Sequence, residues 1–268
     1  MKSLNMSDSL LLIDFGTSRI KYILRDLDNL SYFNQGGYKS IEAIIHKYYS
    51  LHKCLEIITI GSNAKNYIFD YPTTNYDELT SIAHLPQYYG CKNALIVNIG
   101  TGTSFSSYKD GEINHLIGTG LGGGTILGLA HRLLDSENIN IIDELAKNGE
   151  LSAINTIIGD IDYQNRSWLD PTMTVSNFNK PAPSQSDIAS GIISLVIEPI
   201  ISITKSLLIN NDYNKVYFSG SVLVFSLLRD LIYKYSKIFD INTIIIDKYE
   251  YGTLLGALAY HDKMQDKL

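Results

Sequence analysis

Two glycine-dense segments contain the residue types that phosphate binding requires. Residues 98–104 are Asn-Ile-Gly-Thr-Gly-Thr-Ser and follow an apolar strand pattern, and residues 118–125 are Gly-Thr-Gly-Leu-Gly-Gly-Gly-Thr and precede a predicted helix over 126–134. Because glycine has no Cβ, several backbone N–H groups can face one anion, and a helix N-terminus favours negative charge. The sequence therefore predicts phosphate contacts in both segments. The simpler alternatives are a glycine-rich hairpin and a flexible surface loop.

A third candidate segment lies near the N-terminus. Asp14 ends a predicted strand and is followed by Gly16, Ser18 and Lys21. A carboxylate at a strand end can hold Mg²⁺ through water while the N–H groups of a turn meet phosphates, and Lys21 could neutralise phosphate charge. The alternative is an aspartate that caps a turn beside a solvated lysine.

The composition limits the classes of partner. The chain has 268 residues and a formal net charge of −6, which predicts no basic face for nucleic acid. The apolar run at 10–13 is too short to span a membrane, and the N-terminus does not resemble a signal peptide. Cys54 and Cys91 lack metal-ligand spacing and are expected as reduced, buried thiols. A cytoplasmic protein without a membrane partner is expected.

The order of elements predicts an α/β architecture with a duplication. A strand–turn–strand followed by strand–helix units occurs both before and after about Cys91. We expect the two-lobed actin-like ATPase (ribonuclease H-like) fold, with a cleft between duplicated lobes at 1–91 and 92–268. The second lobe would contain a long helix over 188–209 and a closing C-terminal helix. Residues 78–89 are expected to form one helix with an irregular end near Pro86.

The order of motifs over nearly the whole chain resembles the type II pantothenate kinases. The motifs are Asp-Phe-Gly-Thr-Ser at 14–18, Tyr-Asp-Glu-Leu at 76–79, the two glycine segments, Phe-Ser-Gly-Ser at 218–221 and Gly-Thr-Leu-Leu-Gly-Ala-Leu at 252–258. Residues 12–22 taken alone look closer to type III pantothenate kinases. The resemblance implies a homodimeric kinase that transfers the γ-phosphate of ATP, with Mg²⁺, to the primary hydroxyl of pantothenate, the first step of coenzyme A synthesis.

The resemblance also assigns roles to residues. Glu78 matches the catalytic glutamate that accepts the hydroxyl proton, with Asp77 as the fallback base, whereas taken alone Glu78 is simply an acid at a helix N-terminus. Asp14 is the expected metal residue, and Thr101 and Ser104 match positions that contact pantothenate. The residues expected to bind the nucleotide are Asp14, Gly16, Ser18, Lys21, Gly100, Gly122, Gly123, Gly124, Thr125 and Gly220.

Two residues depart from the family pattern. Thr17 replaces a glycine of the phosphate turn, so that turn must accept a β-branched residue. His115, the third predicted substrate-binding residue, occupies the position where the family has an arginine. Histidine lacks the planar, permanently charged fork of arginine, so positioning of the substrate should weaken. Either another residue compensates, or the acceptor differs, or activity is poor; a strand residue without a role is the remaining alternative for His115.

Three functional hypotheses follow. The leading one is a kinase for pantothenate or a pantetheine-like acceptor. The second is a catalytically weak paralogue that binds nucleotide or acyl-CoA and acts as a regulator, which the histidine at 115 favours and the retained Asp14, Lys21 and Glu78 oppose. The third is a sugar kinase of the same superfold, which would share the scaffold but lack the motif order at 98–128.

Overall fold

The computed structural model describes residues 9–16, 19–27, 29–35, 41–51, 55–61, 64, 71–161, 169–181, 183–209 and 211–265. The chain divides into two compact units. The first contains Met1–Ile96, Ser106–His115 and Tyr251–Leu268, and the second contains Val97–Phe105 and Leu116–Glu250. The lobe limits expected from the sequence, 1–91 and 92–268, stay a prediction.

Strands and helices alternate along most of the described chain. The strands are β1 (Ser9–Phe15), β2 (Ile20–Asp26), β3 (Asn29–Gln35), β4 (Leu55–Ile60), β5 (Thr74–Tyr76), β6 (Asn93–Ile99), β7 (Thr103–Lys109), β8 (Glu112–Thr119), β9 (Thr156–Ile157), β10 (Thr174–Ser176), β11 (Lys215–Ser219) and β12 (Thr243–Ile245). The helices are α1 (Ile41–Leu51), α2 (Glu78–Ala83), α3 (Leu85–Tyr88), α4 (Gly123–Leu134), α5 (Ile139–Lys147), α6 (Leu151–Ile154), α7 (Gln185–Ile209), α8 (Ser226–Ile238) and α9 (Gly252–Gln265).

The first unit is built on a mixed sheet with the strand order β3-β2-β1-β4-β5. β1 pairs antiparallel with β2 and parallel with β4, and β4 pairs parallel with β5. All seven residues of β1 are buried, because the sheet is covered on both faces and β1 lies at its centre. The carboxyl ends of β1, β4 and β5 therefore lie at one edge of the sheet, where ligands of α/β proteins commonly bind.

The two faces of this sheet are covered differently. Leu11, Ile13 and Phe15 share an apolar cluster with Ile41 and Ile45 of α1. Side chains alternate along a strand, so the even-numbered residues of β1, including Asp14, point to the opposite face. That face is covered by α9, which contacts β1 and packs against α2 and α3. Asp14 thus lies on the α9 side of the sheet.

The second unit contains the helices α4 to α8 and the strands β9 to β12. β11 and β12 belong to a sheet with the order β12-β11-β6-β7-β8, whose strands β6, β7 and β8 contribute residues to both units. The core helix is α7, which packs against α4, α5, α6 and α8. By length and composition it is the one helix of the described residues that could cross a membrane, a test that buried core helices also pass.

Two local predictions needed correction. The expected single helix over 78–89 is two short helices, which separate at His84 because Pro86, in the first turn of α3, has no N–H to continue α2. Cys91, expected to be buried, is a free and only half-buried thiol, and Cys54 lies outside the described residues.

Candidate active site

Asp14 and Lys21 form an ion pair across the β1–β2 ladder. The two residues are direct partners in the antiparallel register, so their side chains share one face of the sheet. Lys21 Nζ lies 3.4 Å from Asp14 Oδ2, and Asp14 is only 5% exposed. Burial raises the pKa of Asp14, and the neighbouring Lys21 opposes this rise. The pair places one buried carboxylate and one cation at the carboxyl end of β1.

Glu78 is the first residue of α2 and follows directly after β5. Its neighbour Asp77 is the N-cap of the helix, because Asp77 Oδ2 accepts a hydrogen bond from the Thr80 N–H at 2.8 Å. Ser81 Oγ donates to the Asp77 carbonyl oxygen at 2.7 Å and tightens the same turn. The Asp77 carboxylate is thus committed to the helix end, whereas the Glu78 carboxyl group has no hydrogen-bond partner among the described residues.

The pKa of Glu78 is raised above its ordinary value of 4.5. Partial burial of its carboxyl group is the largest cause, the charge of Asp14 is the second, and Lys21 opposes both. These interactions show that Asp14, Lys21 and Glu78 lie close enough to act on one another within the first unit. The Glu78 residue itself is exposed, so its carboxyl group is accessible to a substrate. A raised pKa makes the ionised carboxylate a better proton acceptor.

The turn after β1 is described only in part. A Cβ atom on Gly16 would lie 2.9 Å from the carbonyl oxygen of Arg19, so the chain passes close to itself at this position. Thr17 and Ser18 lie outside the described residues. The predicted phosphate contact of Ser18, like that of Gly16, stays a prediction.

In the second unit the two glycine segments pack directly against each other. The N–H of Gly123 donates to the carbonyl of Gly100 at 2.8 Å, and the N–H of Gly124 donates to the carbonyl of Thr101 at 2.9 Å. A Cβ atom on Gly122 would lie 2.7 Å from the Thr101 carbonyl oxygen. The segment at 118–125 is therefore ordered, and the flexible-loop alternative is wrong. We call the two packed segments, residues 98–104 and 118–125, the glycine layer.

This packing changes the physical reason for the glycines. Gly122 has φ 169°, which is extended backbone that any residue adopts, so close backbone approach and not a left-handed conformation requires glycine there. Two N–H groups of the first turn of α4 are already bonded to carbonyls of the other segment. Any contact of Gly123 and Gly124 with a phosphate would therefore depend on close approach of a ligand and not on these two N–H donors.

Gly220 joins the same layer from a third part of the chain. Its φ of +116° is left-handed, and a Cβ atom there would overlap the carbonyl oxygen of Ile99, the residue before Gly100. In the turn that follows, a methyl group of Val222 would lie 2.9 Å from a Cβ on Gly123. No sequence motif marks Val222, and no spacing rule connects it to residue 123.

Hydroxyl groups complete the layer. Thr103 Oγ1 donates to the Leu121 carbonyl at 2.7 Å, and Thr125 Oγ1 donates to the Gly120 carbonyl at 2.9 Å. Thr101 is exposed and Ser104 is half-buried. Thr125 is therefore used to hold the turn, while the Thr101 hydroxyl has no hydrogen-bond partner among the described residues.

His115 lies exposed on β8, an edge strand of its sheet. Its ring makes no hydrogen bond or ion pair with the described residues, so the fold does not hold it in one orientation. Its predicted contact with substrate stays a prediction.

Over the described ranges, no group of three or more His, Cys, Asp and Glu side chains could hold a metal ion. A Mg²⁺ site does not require such a group, because the ion is commonly held by one or two carboxylates together with water and substrate phosphates. Asp14 is a carboxylate that could hold the ion, and its ion pair with Lys21 would then have to rearrange or share the oxygen.

Comparison with known proteins identifies relatives over most of the chain. The model of the family described as Fumble matches residues 39–232. The type II pantothenate kinase of Bacillus anthracis is 30% identical over 178 residues, and that of a Bacillus cereus strain is 29% identical over 178 residues. Each match covers 64% of this chain and 64% of the relative. The chain thus spans slightly less than two thirds of the length of these curated relatives.

Solved structures share the fold at low sequence identity. The activator of the 2-hydroxyisocaproyl-CoA dehydratase from Clostridium difficile, with bound ADPNP, has a TM-score of 0.63 at 15% identity and covers 97% of this chain and 98% of its own. MreB 5 of Spiroplasma citri, bound to AMPPNP, has a TM-score of 0.56 at 11% identity, covering 98% of each chain. The ROK hexokinase from Thermus thermophilus has a TM-score of 0.53 at 12% identity, covering 95% and 99%. The predicted two-lobed α/β fold of the actin-like ATPases is confirmed.

Proposed function

The chain belongs to the Fumble family, and on that premise we propose that it is an ATP-dependent kinase of coenzyme A synthesis. The acceptor is the primary hydroxyl of pantothenate or of a pantetheine-like relative. The observation that carries the proposal is the cluster of Asp14, Lys21 and Glu78, in which an accessible carboxylate of raised pKa lies beside a buried carboxylate and a lysine. Phosphoryl transfer needs this combination of a base and groups that stabilise phosphate charge.

Each residue of the cluster has one task in this reaction. Glu78 accepts the proton of the acceptor hydroxyl while the hydroxyl oxygen forms a bond to the γ-phosphorus of ATP. The bond between that phosphorus and the bridging oxygen breaks, and ADP leaves with the electron pair. Lys21 stabilises the charge on the transferred group. Asp14 would hold a Mg²⁺ ion, which would neutralise phosphate charge when bound.

The glycine layer of the second unit is the proposed nucleotide-binding element. Its support is that three backbone segments meet at Gly100, Gly122 and Gly220. The Cβ directions of Gly122 and Gly220 face protein backbone, whereas a Cβ on Gly100 would have only the Gly102 carbonyl oxygen within 4 Å, at 3.8 Å, so a ligand can approach the chain at Gly100. The proposed nucleotide contacts also include Gly16, Ser18, Gly123, Gly124 and Thr125. Thr101 and Ser104 are proposed to bind the acceptor, since one is exposed and the other half-buried.

The remaining parts of the proposal come from the resemblance to type II pantothenate kinases. We include the cytoplasmic location, the Mg²⁺ requirement and a homodimer on that basis. Sedimentation velocity of the purified chain measures the last of these directly, and a monomer at all concentrations would remove it from the proposal.

His115 supports a second candidate function, a nucleotide-binding regulator or a kinase for another acceptor. The exposed imidazole supplies neither the permanent charge nor the two parallel donors of an arginine. An ATP-consumption assay with pantothenate, pantetheine, N-acetylglucosamine and glucose separates the candidates, using wild type and Glu78→Gln. Turnover of pantothenate that the substitution lowers by about 100-fold or more supports the kinase. Binding of ATP without turnover of any acceptor contradicts it.

A further inference from the structure

We infer that His261 is a positioning residue that fixes the carboxylate of Glu78 through the hydroxyl group of Tyr76. The inference rests on the proposed function, because it concerns the base of that reaction. It gives a role to a buried histidine of α9 that lies outside the predicted site residues. Its starting point is the short stretch of chain that carries Glu78.

That stretch is weakly held by its own secondary structure. β5 has three residues, pairs only with β4 in its sheet, and is mostly exposed. Its last residue, Tyr76, comes two positions before Glu78. A three-residue edge strand offers few hydrogen bonds, so contacts from elsewhere must fix the direction in which the chain enters α2.

Helix α9 supplies such a contact before Glu78. Tyr76 Oη lies 3.2 Å from His261 Nδ1, and His261 is only 3% exposed. The other ring nitrogen of His261, Nε2, lies 3.6 Å from Glu56 Oε2 on β4. The imidazole is therefore held between a carboxylate of the sheet and the hydroxyl at the end of β5. The pKa of Tyr76 is raised to about 12, by burial and then by the charge of Glu56, so this hydroxyl keeps its proton at neutral pH.

Helix α9 also supplies a contact after Glu78. A Cβ atom on Gly256 would overlap the carbonyl oxygen of Ser81, so α2 rests directly on the backbone of α9. α9 is in turn tied to the sheet, because Arg25 Nη1 lies 2.6 Å from Asp262 Oδ1. Glu78 thus sits between two points of attachment to one anchored helix. The Tyr76–His261 contact holds the last residue of β5, and the residue before it is held by Asn75 Nδ2, which donates to Thr59 Oγ1 at 3.1 Å.

The test is a double-mutant cycle between Tyr76→Phe and Glu78→Gln in the full chain, measured as pantothenate-dependent ATP turnover. Tyr76→Phe removes the hydroxyl and keeps the ring contact to Tyr260, whose centroid lies 5.2 Å away. We expect kcat to fall about tenfold with an unchanged KM for ATP, since a displaced base slows the chemical step. In the Glu78→Gln background Tyr76→Phe should cause no further loss, because the group it positions is gone.

Tyr49→Phe is the matched control, because Tyr49 lies in the same unit, 39% exposed, with its ring centroid 4.3 Å from that of Tyr71. It removes a hydroxyl from a half-exposed side chain of α1, the helix on the face of the sheet opposite to α9, and should leave kcat unchanged. His261→Gln, which keeps a hydrogen-bonding group near the Tyr76 hydroxyl, should lose less activity than His261→Phe. An unchanged kcat in Tyr76→Phe, or an equal loss with and without Glu78, overturns the inference.

A second measurement separates this inference from the proposed function. Hydrogen exchange of residues 78–83 should be faster in Tyr76→Phe than in wild type or in Tyr49→Phe. Should wild type fail to phosphorylate pantothenate while this exchange is accelerated, the proposed reaction fails and the positioning contact stands. Unchanged exchange in Tyr76→Phe contradicts the contact whatever the activity is.

Discussion

Lys21 Nζ lies 3.4 Å from Asp14 Oδ2, at directly opposed positions of an antiparallel ladder, and the charge of Lys21 also reaches Glu78. One lysine therefore lowers the pKa values of two carboxyl groups, each of which burial raises. Because the β1–β2 hairpin sets this register, it also sets where the positive charge of Lys21 lies relative to the two carboxyl groups. Lys21 is consequently the residue whose charge should matter for both the rate and its pH dependence.

Replacing Lys21 with methionine should slow the kinase and shift its pH profile. We expect kcat to fall about 100-fold, as is typical when one group that stabilises transition-state charge is lost. Ionised Glu78 is lost as the pH falls through its pKa, and that pKa rises further without Lys21. The acid limb of kcat/KM should therefore move to higher pH. Lys21→Arg, which keeps the positive charge, should leave the limb in place; a limb that moves equally in both variants contradicts the role of charge.

Asp14→Asn should make the fold more resistant to urea at pH 7 while it abolishes activity. Burial raises the pKa of Asp14 above its ordinary 3.8, so the folded state binds a proton there more tightly than the unfolded state does. This tighter proton binding adds to the free energy of unfolding. The added stability is fully present below pH 3.8 and is lost as the pH rises through the pKa of Asp14 in the folded state. The advantage of the asparagine variant should hence be larger at pH 7 than at about pH 3.5, measured by urea denaturation at both values. An advantage that is independent of pH contradicts this prediction.

How far the sequence predicts the structure differs between the two halves of the candidate site. Asp14 at the end of a strand and Lys21 seven residues later on the returning strand lie in the predicted strand–turn–strand unit, which is a short-range pattern. Their ion pair was not predicted, because the sequence left Lys21 either near a phosphate or in solvent. The helix start at Glu78 also follows from a local pattern, whereas Asp77, predicted as the fallback base, is found to cap that helix with its carboxylate.

The glycine layer shows what local patterns miss. Glycine density at 98–128 indicated close approach of backbone, but a ligand was the expected neighbour. The structure supplies a protein neighbour for most of these glycines, since Gly122 meets Gly100 and Thr101, and Gly220 meets Ile99. Residues 99 and 220 are 121 positions apart, and their contact depends on how β6 and β11 meet in one sheet. The same limit explains why His261, near the C-terminus, was not connected to Tyr76.

Alanine substitutions should separate the glycines that pack from those that do not. Gly122→Ala brings a methyl group to 2.7 Å from a carbonyl oxygen, and Gly220→Ala also places alanine at φ +116°. Each should lower the free energy of unfolding by about 1–3 kcal/mol or more, the usual cost of overpacking. Gly120→Ala is the control, because its Cβ would meet nothing within 4 Å. Its change should stay within about 0.5 kcal/mol in urea titrations. Equal effects at 120 and 122 would mean that the layer is not packed as described.

His115→Arg should raise kcat/KM for pantothenate without changing the stability of the fold. The histidine is exposed on an edge strand and makes no hydrogen bond with the described residues, so a longer side chain meets no steric barrier. The free energy of unfolding should therefore stay within about 0.5 kcal/mol of wild type. An arginine there would add a permanent charge and a bidentate donor for a carboxylate or phosphate group, and we expect a gain of about tenfold or more in kcat/KM. His115→Lys restores the charge without the planar fork and should gain less. If His115→Arg is inactive while wild type turns over a different acceptor, the imidazole is instead a specificity residue for that acceptor.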